Sequence, residues 1–599
     1  MTPRAPSVPV AAALGPLNAG ASDAIARRTA SVLLPGPHPV RLAQSSRHPA
    51  DGPGDAPARR GDVWCVADAR LDDRPGLEAL LGLTSGELAA LSEAEILLRG
   101  YLLCGSRLPE RLVGAFAFVV WDGRDGVLFA ARDHFGLRPL AFAVCSGALV
   151  LASDDATILD VGGPRSIDEE VLVARALRNF GVLLQRSPWS GIRRVPPGHR
   201  LFAWPDGQYR VECYWRPTAR PVASRASPVE HARHLRAVVE TAVADAVRDP
   251  VPTGADLSGG LDSTAVAALG QRALRARGAA LTAAWSWSPS PEVIPFDDPS
   301  FGEEIDERHR VLEVATALGV PLEFVTFDEA VAAAKERRLA RLEPNERMLL
   351  HWPVLRAAAA RDVRVLLSGW GGDEGASFNG RGHVAYLAAR GRLLAAWRTA
   401  NVLAARSGQP ATGLSAARNF YHQGVHRLLP LSLRLRREGT FRDEKMLRAQ
   451  GLGLEVMHPT ARRQQAAAAR RTRGREQSGR ATQVGLLRNG HLTIRLEAWE
   501  LGARPFGIDH RYPLLDLRVI ELVLSLPESL NVHDGWQRWL FREATAGLLP
   551  DDVRWGWPKR EPAMLEQLRS PLNTHSGAPA HAARISELQR RRLQALRES

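Results

Sequence analysis

The chain has 599 residues, of which 45% are hydrophobic and 24% charged, and its formal net charge is +13. This length exceeds one ordinary hydrophobic core, so we expect at least two domains of globular composition. No apolar run approaches the roughly 20 residues that a membrane helix needs, and prolines interrupt the N-terminal segment where a signal peptide is apolar. We therefore expect a cytoplasmic protein without a membrane partner.

The charge distribution argues against a nucleic-acid site, and the cysteine spacing argues against a zinc or disulfide site. The positive charge comes almost entirely from arginine, because Lys335, Lys445 and Lys559 are the only lysines. The densest basic run, residues 461–480, has no aromatic residue on which a base could stack, so we interpret it as a solvated helix or insertion and expect no nucleic-acid partner. The cysteines lack paired spacing, which predicts buried free thiols instead of a zinc site or disulfides. They are Cys65, Cys104, Cys145 and Cys213.

The predicted elements change character near the middle of the chain. Residues 61 to about 215 carry short apolar runs such as GAFAFVVWD and GVLFAARD between turn sequences, a pattern that predicts mainly β-sheet. From about residue 228 helices alternate with strands, and this order predicts a parallel sheet whose ligands bind at the carboxyl ends of its strands. The predicted helices cover 228–248, 262–277 and about 303–318, with a fourth before VRVLLSGWGGDEG, and the predicted strands include LTAAWSWS and PLEFVTFD.

Two glycine-rich loops carry acidic residues in this second half. LSGGLDST, residues 257–264, precedes a predicted helix, where free backbone N–H groups and the helix N-terminus suit a pyrophosphate. Asp262 cannot bind an anion itself but can hold a divalent metal ion. This loop alone would equally fit a glycine turn that caps a helix. A second loop, LLSGWGGDEG at 366–375, places Asp373 and Glu374 after another strand, and the two loops together predict a metal and nucleotide site.

Both loops resemble those of the asparagine-synthetase superfamily. Ser258–Ser263 looks like its pyrophosphatase loop and Ser368–Glu374 like its second metal-binding loop, and DHRYPLLD and WQRWLFREATAGLLPDDVRWGWPKREP are similar to two further segments. LVGAFAFVVWD and ARDHFGLRPLAFAV resemble a class II glutamine amidotransferase domain. The resemblance implies an α/β protein with a degenerate amidotransferase-like αββα sandwich over 1–215 and a pyrophosphatase-loop, parallel-sheet synthetase domain over 228–570. Within the second domain we place a basic insertion at about 400–490. A C-terminal tail at 571–599 follows this domain.

The resemblance also implies an AMP-forming carbon–nitrogen ligase that uses ATP and Mg²⁺. In this family ATP is cleaved to AMP and pyrophosphate, the AMP is transferred to a carboxylate, and an amine then displaces it. By the resemblance Asp262 and Asp373 hold the metal ion, and Lys559 neutralises the α-phosphate and the developing oxyanion. The implied nucleotide contacts are the pyrophosphate cradle and the neighbours of the adenosine: Leu257, Ser258, Gly259, Gly260, Leu261, Asp262, Ser263, Ser368 and Gly369.

Three departures from the family's pattern narrow the reaction. Class II amidotransferases use an N-terminal cysteine as nucleophile, whereas Thr2 takes that position here, no cysteine precedes Cys65, and the glutamine-holding segments read ADARLDDR and LSEAE. We therefore expect a scaffold domain without glutaminase activity. The third residue of the second loop is Trp370, which has no basic lone pair but can line an apolar substrate cavity. GASFNGRG, after Glu374, replaces an aromatic glycine stretch.

Together these departures favour an amine that belongs to the substrate itself. In this respect the chain most resembles the lasso-peptide macrolactam synthetases, which implies a precursor peptide whose Asp or Glu side chain is adenylated and then attacked by the peptide's N-terminal amine. Trp370 and Glu374 would contact this peptide, and a leader peptidase and a leader-recognition protein are the other implied partners. Alternatives are an asparagine or β-lactam synthetase acting on a small amino acid, and a dead scaffold or nucleic-acid-binding protein, against which the intact acidic pair and Lys559 argue. The general base stays open among Glu374, Glu303, Glu304, Asp306 and Glu307, and the leaving phosphate and water are further candidates because an acyl-adenylate is already activated.

Overall fold

The computed structural model describes residues 10–15, 30–34, 39–44, 56–168, 170–171, 174, 180–222, 225–288, 307–326, 351–406, 408–429 and 478–556. Several positions that the sequence singles out lie outside these ranges, namely Thr2, Glu303, Glu304, Asp306, Lys559 and the predicted tail at 571–599. Among the described residues, no helix combines the length and the apolar character that crossing a membrane requires.

The first half of the chain contributes twelve strands to the described structure. In chain order they are β1 (Val10–Leu14), β2 (Ala30–Leu34), β3 (Val40–Gln44), β4 (Ala58–Arg60), β5 (Val63–Leu71), β6 (Gly114–Asp122), β7 (Val127–Arg132), β8 (Ala141–Cys145), β9 (Ala148–Ala152), β10 (Arg193–Arg194), β11 (His199–Ala203) and β12 (Tyr209–Cys213). The helices between them are α1 (Arg74–Leu81), α2 (Ser85–Ala89), α3 (Glu93–Cys104), α4 (Asp155–Asp160) and α5 (Phe180–Leu183).

These strands form two antiparallel sheets that lie face to face. Their strand orders are β10-β8-β9-β1-β3-β2 and β12-β11-β7-β6-β5-β4. Apolar side chains of both sheets, among them Leu42, Val119 and Leu151, fill the space between them. The outer face of the second sheet packs on α3 through Leu97, and that of the first packs on α4 through Ile158. The layers therefore run helix, sheet, sheet, helix, as the αββα prediction requires.

The second half is built around one parallel sheet. Its strands are β13 (Thr253–Asp256), β14 (Ala284–Ser288), β15 (Leu322–Thr326), β16 (Val365–Leu367) and β17 (Asp509–Arg511), and a hairpin of β18 (Val532–His533) and β19 (Trp536–Gln537) follows. The helices are α6 (Pro228–Ala246), α7 (Leu261–Arg275), α8 (Arg308–Leu318), α9 (Trp352–Ala360), α10 (His383–Ala389), α11 (Leu393–Arg406), α12 (Gly413–Phe420), α13 (His426–Leu428), α14 (Gly479–Arg488), α15 (His491–Ala503), α16 (Leu517–Ser525), α17 (Trp539–Ala544) and α18 (Asp551–Trp555).

The order of the parallel strands determines where a ligand can bind. It is β15-β14-β13-β16-β17, so the chain leaves β13 in one direction along the sheet and leaves β16 in the other. Helices α6, α7 and α8 cover one face of the sheet, and α9 and α15 cover the other. In open parallel sheets the crevice between two such strands, at their carboxyl ends, is the usual binding position. Both glycine-rich loops begin at this crevice.

The predicted α/β class is confirmed, and three local expectations need correction. The third helix of the second half begins at Arg308 among the described residues, later than predicted. Cys213 is exposed because it ends the edge strand β12, and Cys104 at the end of α3 is only half-buried, whereas Cys65 and Cys145 are buried as expected. Arg480, the last residue of the basic run that we expected to be solvated, is buried, since it donates to the carbonyls of Val523 and Leu526.

Buried ion pairs join the two halves. Glu497 of α15 accepts hydrogen bonds from Arg132 at 3.1 Å and from Arg194 at 2.5 Å. Arg138 contacts Glu500 at 2.9 Å, and its other guanidinium nitrogens reach acidic groups of both halves. Buried charges are stable only when they are paired in this way, so the network fixes the amidotransferase-like half on α15 and β17.

Candidate active site

The two glycine-rich loops touch each other at the crevice between β13 and β16. Gly259 has a φ of 63°, which glycine adopts without strain, and it turns the chain from β13 toward α7. A Cβ atom at position 369 would lie 2.5 Å from the backbone nitrogen of Ser263, and one at 372 would lie 2.6 Å from Cγ of Asp262. Glycine is therefore required at 369 and 372 because the second loop lies directly against the first turn of α7.

Within the first loop, serine side chains hold the backbone. The Ser258 N–H donates to Oγ of Ser263 at 3.1 Å, and the two hydroxyls lie 2.8 Å apart. Gly260 precedes α7 and has no side chain that could cap the helix. The first backbone N–H groups of α7, at the positive end of the helix dipole, can therefore bind a ligand. Ser258 itself is exposed, whereas Leu257 is in the hydrophobic core and can offer a nucleotide only its backbone.

The predicted acidic pair meets at one arginine. Arg538 donates from Nη1 to Oδ2 of Asp262 at 3.0 Å and from Nη2 to Oδ1 of Asp373. Oδ1 of Asp262 is buried and accepts no hydrogen bond of good geometry from a described residue, although the Ser377 hydroxyl lies beside it. Asp373 is exposed. The structure thus brings Asp262 and Asp373 together, and adds a cation between them.

The electrostatics of the site disfavour two neighbouring negative charges. Burial raises the pKa of Asp262, and repulsion from Asp373 adds to this effect, while Arg538 opposes it. Burial also raises the pKa of Glu374 to about 7, again with a contribution from Asp373. A divalent cation would relieve this repulsion, and carboxylate oxygens are its preferred ligands. The unpartnered Asp262 oxygen and the glycine-lined contact between the loops therefore fit a Mg²⁺ ion with a nucleotide.

Aromatic side chains line the crevice beside the second loop. The ring of Trp370 packs edge-on against Trp499, with centroids 4.9 Å apart and planes at 82°. The guanidinium carbon of Arg495 lies 4.3 Å from the centre of the Trp370 ring. Nδ1 of His491 is 3.9 Å from a carboxylate oxygen of Glu374. The Trp370 ring thus contacts both the guanidinium of Arg495 and the indole of Trp499, and together they offer a surface for an extended substrate.

Two parts of the site were not predicted. Arg538 is the third residue of WQRWLFREATAGLLPDDVRWGWPKREP, which resembles a segment of the family, and this resemblance was the available signal. The second part is a cluster of Asp256, His351 and His510, which are too far apart in the sequence to form a motif. Burial lowers the pKa of His351 to about 4. Glu307, one of the candidate bases, directly precedes α8.

Family models match both halves of the chain. Residues 234–594 match the asparagine synthase model, and residues 76–215 match the glutamine amidotransferase domain model. The first match takes in more than half of the chain. The protein belongs to the asparagine synthase family.

Similar proteins occur in bacteria and fungi. A putative glutamine-hydrolysing asparagine synthetase of Mycobacterium tuberculosis is 31% identical over 364 residues, which cover 56% of this chain and 50% of the relative. The amidase chyE of Penicillium rubens is 29% identical over 48% of this chain and 43% of its own length. Asparagine synthetase 3 of Bacillus subtilis is 23% identical over 82% of this chain and 74% of its own. The chain thus spans about half the length of the first two.

Proposed function

We propose that this asparagine synthase family member is an ATP-dependent, AMP-forming carbon–nitrogen ligase. The observation that carries the proposal is the meeting of Asp262 and Asp373 across the crevice, within reach of a single guanidinium and against a glycine-lined helix N-terminus. A carboxylate is a poor acyl donor until its oxygen becomes part of a leaving group, and bound ATP with Mg²⁺ would supply the adenylyl group.

The chain's own groups would then have distinct tasks. Asp262 and Asp373 would hold the metal ion, and the first N–H groups of α7 would bind the pyrophosphate. Arg538 reduces the repulsion between the two carboxylates and places a positive charge beside the same loop. Glu374 would accept the proton of the attacking amine, because a pKa of about 7 suits proton transfer near neutral pH.

We further propose that the amine belongs to the same substrate, as in closure of a macrolactam ring. A precursor peptide would offer an Asp or Glu side chain for adenylation and its N-terminal amine for attack. Trp370 supports this proposal because it offers a packing surface together with Trp499 and Arg495, and no basic lone pair. A leader peptidase and a leader-recognition protein would be the partners that prepare such a peptide.

The amidotransferase-like half also supports an internal amine. In its ADARLDDR segment, Asp68 pairs with Arg504 and Asp72 pairs with Arg248, each at 3.2 Å and each across the contact between the halves. Asp68 is 3% exposed and Asp72 is 4% exposed, so their carboxylates serve buried ion pairs. These side chains hold the contact between the halves, and glutamine would have to compete with them.

The test uses the full chain with ATP, Mg²⁺ and leaderless short peptides that carry an N-terminal amine and an Asp or Glu side chain, chosen from the reading frames next to its gene. We expect equal amounts of AMP and pyrophosphate, and a peptide product lighter by one water. Asp262→Asn should abolish both products while the circular dichroism spectrum stays unchanged. The matched control is Asp534→Asn, which changes a carboxylate that is 86% exposed and should keep full activity. ADP and phosphate as products would contradict the proposal.

The relatives' names favour one alternative, an asparagine synthetase that uses free aspartate. Its experiment is the same assay with aspartate and either ammonia or glutamine in place of the peptide. Asparagine formed with AMP would support this alternative over ring closure. If aspartate were not converted and the peptide were cyclised, the result would support the macrolactam proposal.

A further inference from the structure

A second group of potential metal ligands lies at the same edge of the sheet. Asp256 ends β13, His351 directly precedes α9, and His510 is the middle residue of β17. Their ligand atoms all lie within 4.8 Å of one another. None of the three is among the residues that the Mg²⁺ and nucleotide site uses. The fold has therefore brought one carboxylate and two imidazoles together from positions 95 and 159 residues apart in sequence.

The spacing within this triad suits a small transition-metal ion. Oδ1 of Asp256 lies 3.4 Å from Nε2 of His351, and Oδ2 lies 3.3 Å from Nε2 of His510, so each imidazole faces a different carboxylate oxygen. These distances are close to the roughly 3.3 to 3.4 Å that separates two ligand atoms of a tetrahedral ion with bonds of about 2.0 to 2.1 Å. Two imidazole nitrogens and one carboxylate are also ligands that Zn²⁺ prefers, whereas Mg²⁺ takes oxygen ligands.

An ordinary hydrogen-bond network does not account for the triad. The contact between His510 and Asp256 has hydrogen-bond geometry, but Nε2 of His351 is buried and has no hydrogen-bond partner among the described residues. His351 is only 9% exposed, and it lies between the rings of Trp287 and Trp499, where water has little access. A buried ring nitrogen without a partner is unfavourable, and a metal ion at this position would satisfy it.

We propose that Asp256, His351 and His510 bind a divalent transition-metal ion, with Zn²⁺ as the preferred ion. Three protein ligands leave a fourth coordination position for water or a substrate group. The Asp256 side chain is 22% exposed, so solvent reaches the triad at this carboxylate. The hydroxyl of Ser368 lies beside the same carboxylate, so the triad adjoins the second glycine-rich loop. The proposal stands whether or not the substrate is a peptide.

The first experiment measures Zn²⁺ binding to the chelator-treated full chain by equilibrium dialysis. We expect one saturable Zn²⁺ per chain. His351→Ala and His510→Ala should each weaken binding by more than the roughly 10 to 100-fold that follows the loss of a supporting contact. The matched control is His234→Ala, which removes an exposed imidazole of α6 and should leave the affinity unchanged. Asp262→Asn should also keep the Zn²⁺, because it changes only the proposed Mg²⁺ site.

A second measurement holds even if the histidine variants fail to fold. Co²⁺ bound to the unaltered chain should give the intense visible absorption of a four-coordinate site with nitrogen ligands, and Zn²⁺ should displace it. Absence of saturable Zn²⁺ binding, or the weak spectrum of six-coordinate Co²⁺, would overturn the proposal. The same conclusion would follow if Asp262→Asn removed the Zn²⁺ and His351→Ala did not.

Discussion

Replacing Glu497 with Gln removes one negative charge from the contact between the two halves of the protein. The carboxylate accepts hydrogen bonds from Arg132 and Arg194, and none of the three side chains is more than 4% exposed. Although burial alone would raise it, the two guanidinium groups hold the pKa of Glu497 below its ordinary value. The residue is therefore charged at neutral pH, and its loss leaves two buried cations with less compensation.

The structure also sets the size of the effect. Breaking a buried pair typically destabilises a protein by about 3 to 5 kcal/mol. Arg132 keeps its hydrogen bonds to the carbonyls of Arg138, Val195 and Gly136, and Arg194 keeps Asp155 at 3.4 Å. We therefore expect the lower end, about 3 kcal/mol, for Glu497→Gln.

The assay is urea unfolding followed by tryptophan fluorescence, with limited proteolysis to detect separation of the halves. The control is Glu110→Gln, which alters an ion pair with Arg200 at a side chain that is 44% exposed and should change stability by less than about 1 kcal/mol. If the urea concentration of the first unfolding transition were unchanged in Glu497→Gln, or were lowered equally in the control, the reasoning that buried charges hold the halves together would be refuted.

Three further predictions follow from the site and the amidotransferase-like half. Glutamine with ATP should give no glutamate above background, and glutamate formation that disappears in Thr2→Ala would contradict the scaffold interpretation. Trp370→Phe should keep most of the ligation rate because a flat apolar ring remains, whereas Trp370→Ala should mainly raise the KM for the peptide. If Trp370→Phe instead abolished one side of the pH–rate profile while the KM stayed unchanged, Trp370 would take part in proton transfer. Burial lowers the pKa of His134 to about 3. Between about pH 6.5 and 3 the unfolded chain therefore binds a proton at this histidine that the folded protein does not bind, and the free energy of unfolding decreases as the pH falls through this range. His134→Phe should reduce this dependence by about 1.4 kcal/mol per pH unit in urea unfolding, and identical slopes for both proteins would rule out this role of His134.

The features that could be predicted are those with a local signal. The loops at 257–264 and 366–375 combine glycine with acidic residues, and the alternation of helices and strands places both at the edge of a parallel sheet. The sequence therefore predicts that Asp262 and Asp373 lie close together, because the carboxyl ends of parallel strands meet at one edge of the sheet.

The remaining features depend on contacts between distant segments. Asp256, His351 and His510 carry no common motif. The strand order β13-β16-β17 brings Asp256 near His510, and the residue that precedes α9 adds His351. Arg480 lies in a run whose composition indicates a solvated surface, yet carbonyls at the end of α16 and just beyond it bind its guanidinium. Composition describes an average environment, and it cannot identify the one side chain in a run that a distant segment buries.

The central claim is that the protein activates a carboxylate by transferring AMP to it. The most direct measurement uses a peptide whose Asp or Glu side-chain carboxylate carries a heavy-oxygen label, incubated with the full chain, ATP and Mg²⁺, with the products analysed by mass spectrometry. Attack of the labelled oxygen on the α-phosphate predicts one labelled oxygen in AMP and none in pyrophosphate, with no label transfer in Asp373→Asn. Label in orthophosphate together with ADP would contradict the claim, because it would show that the γ-phosphate had been transferred instead.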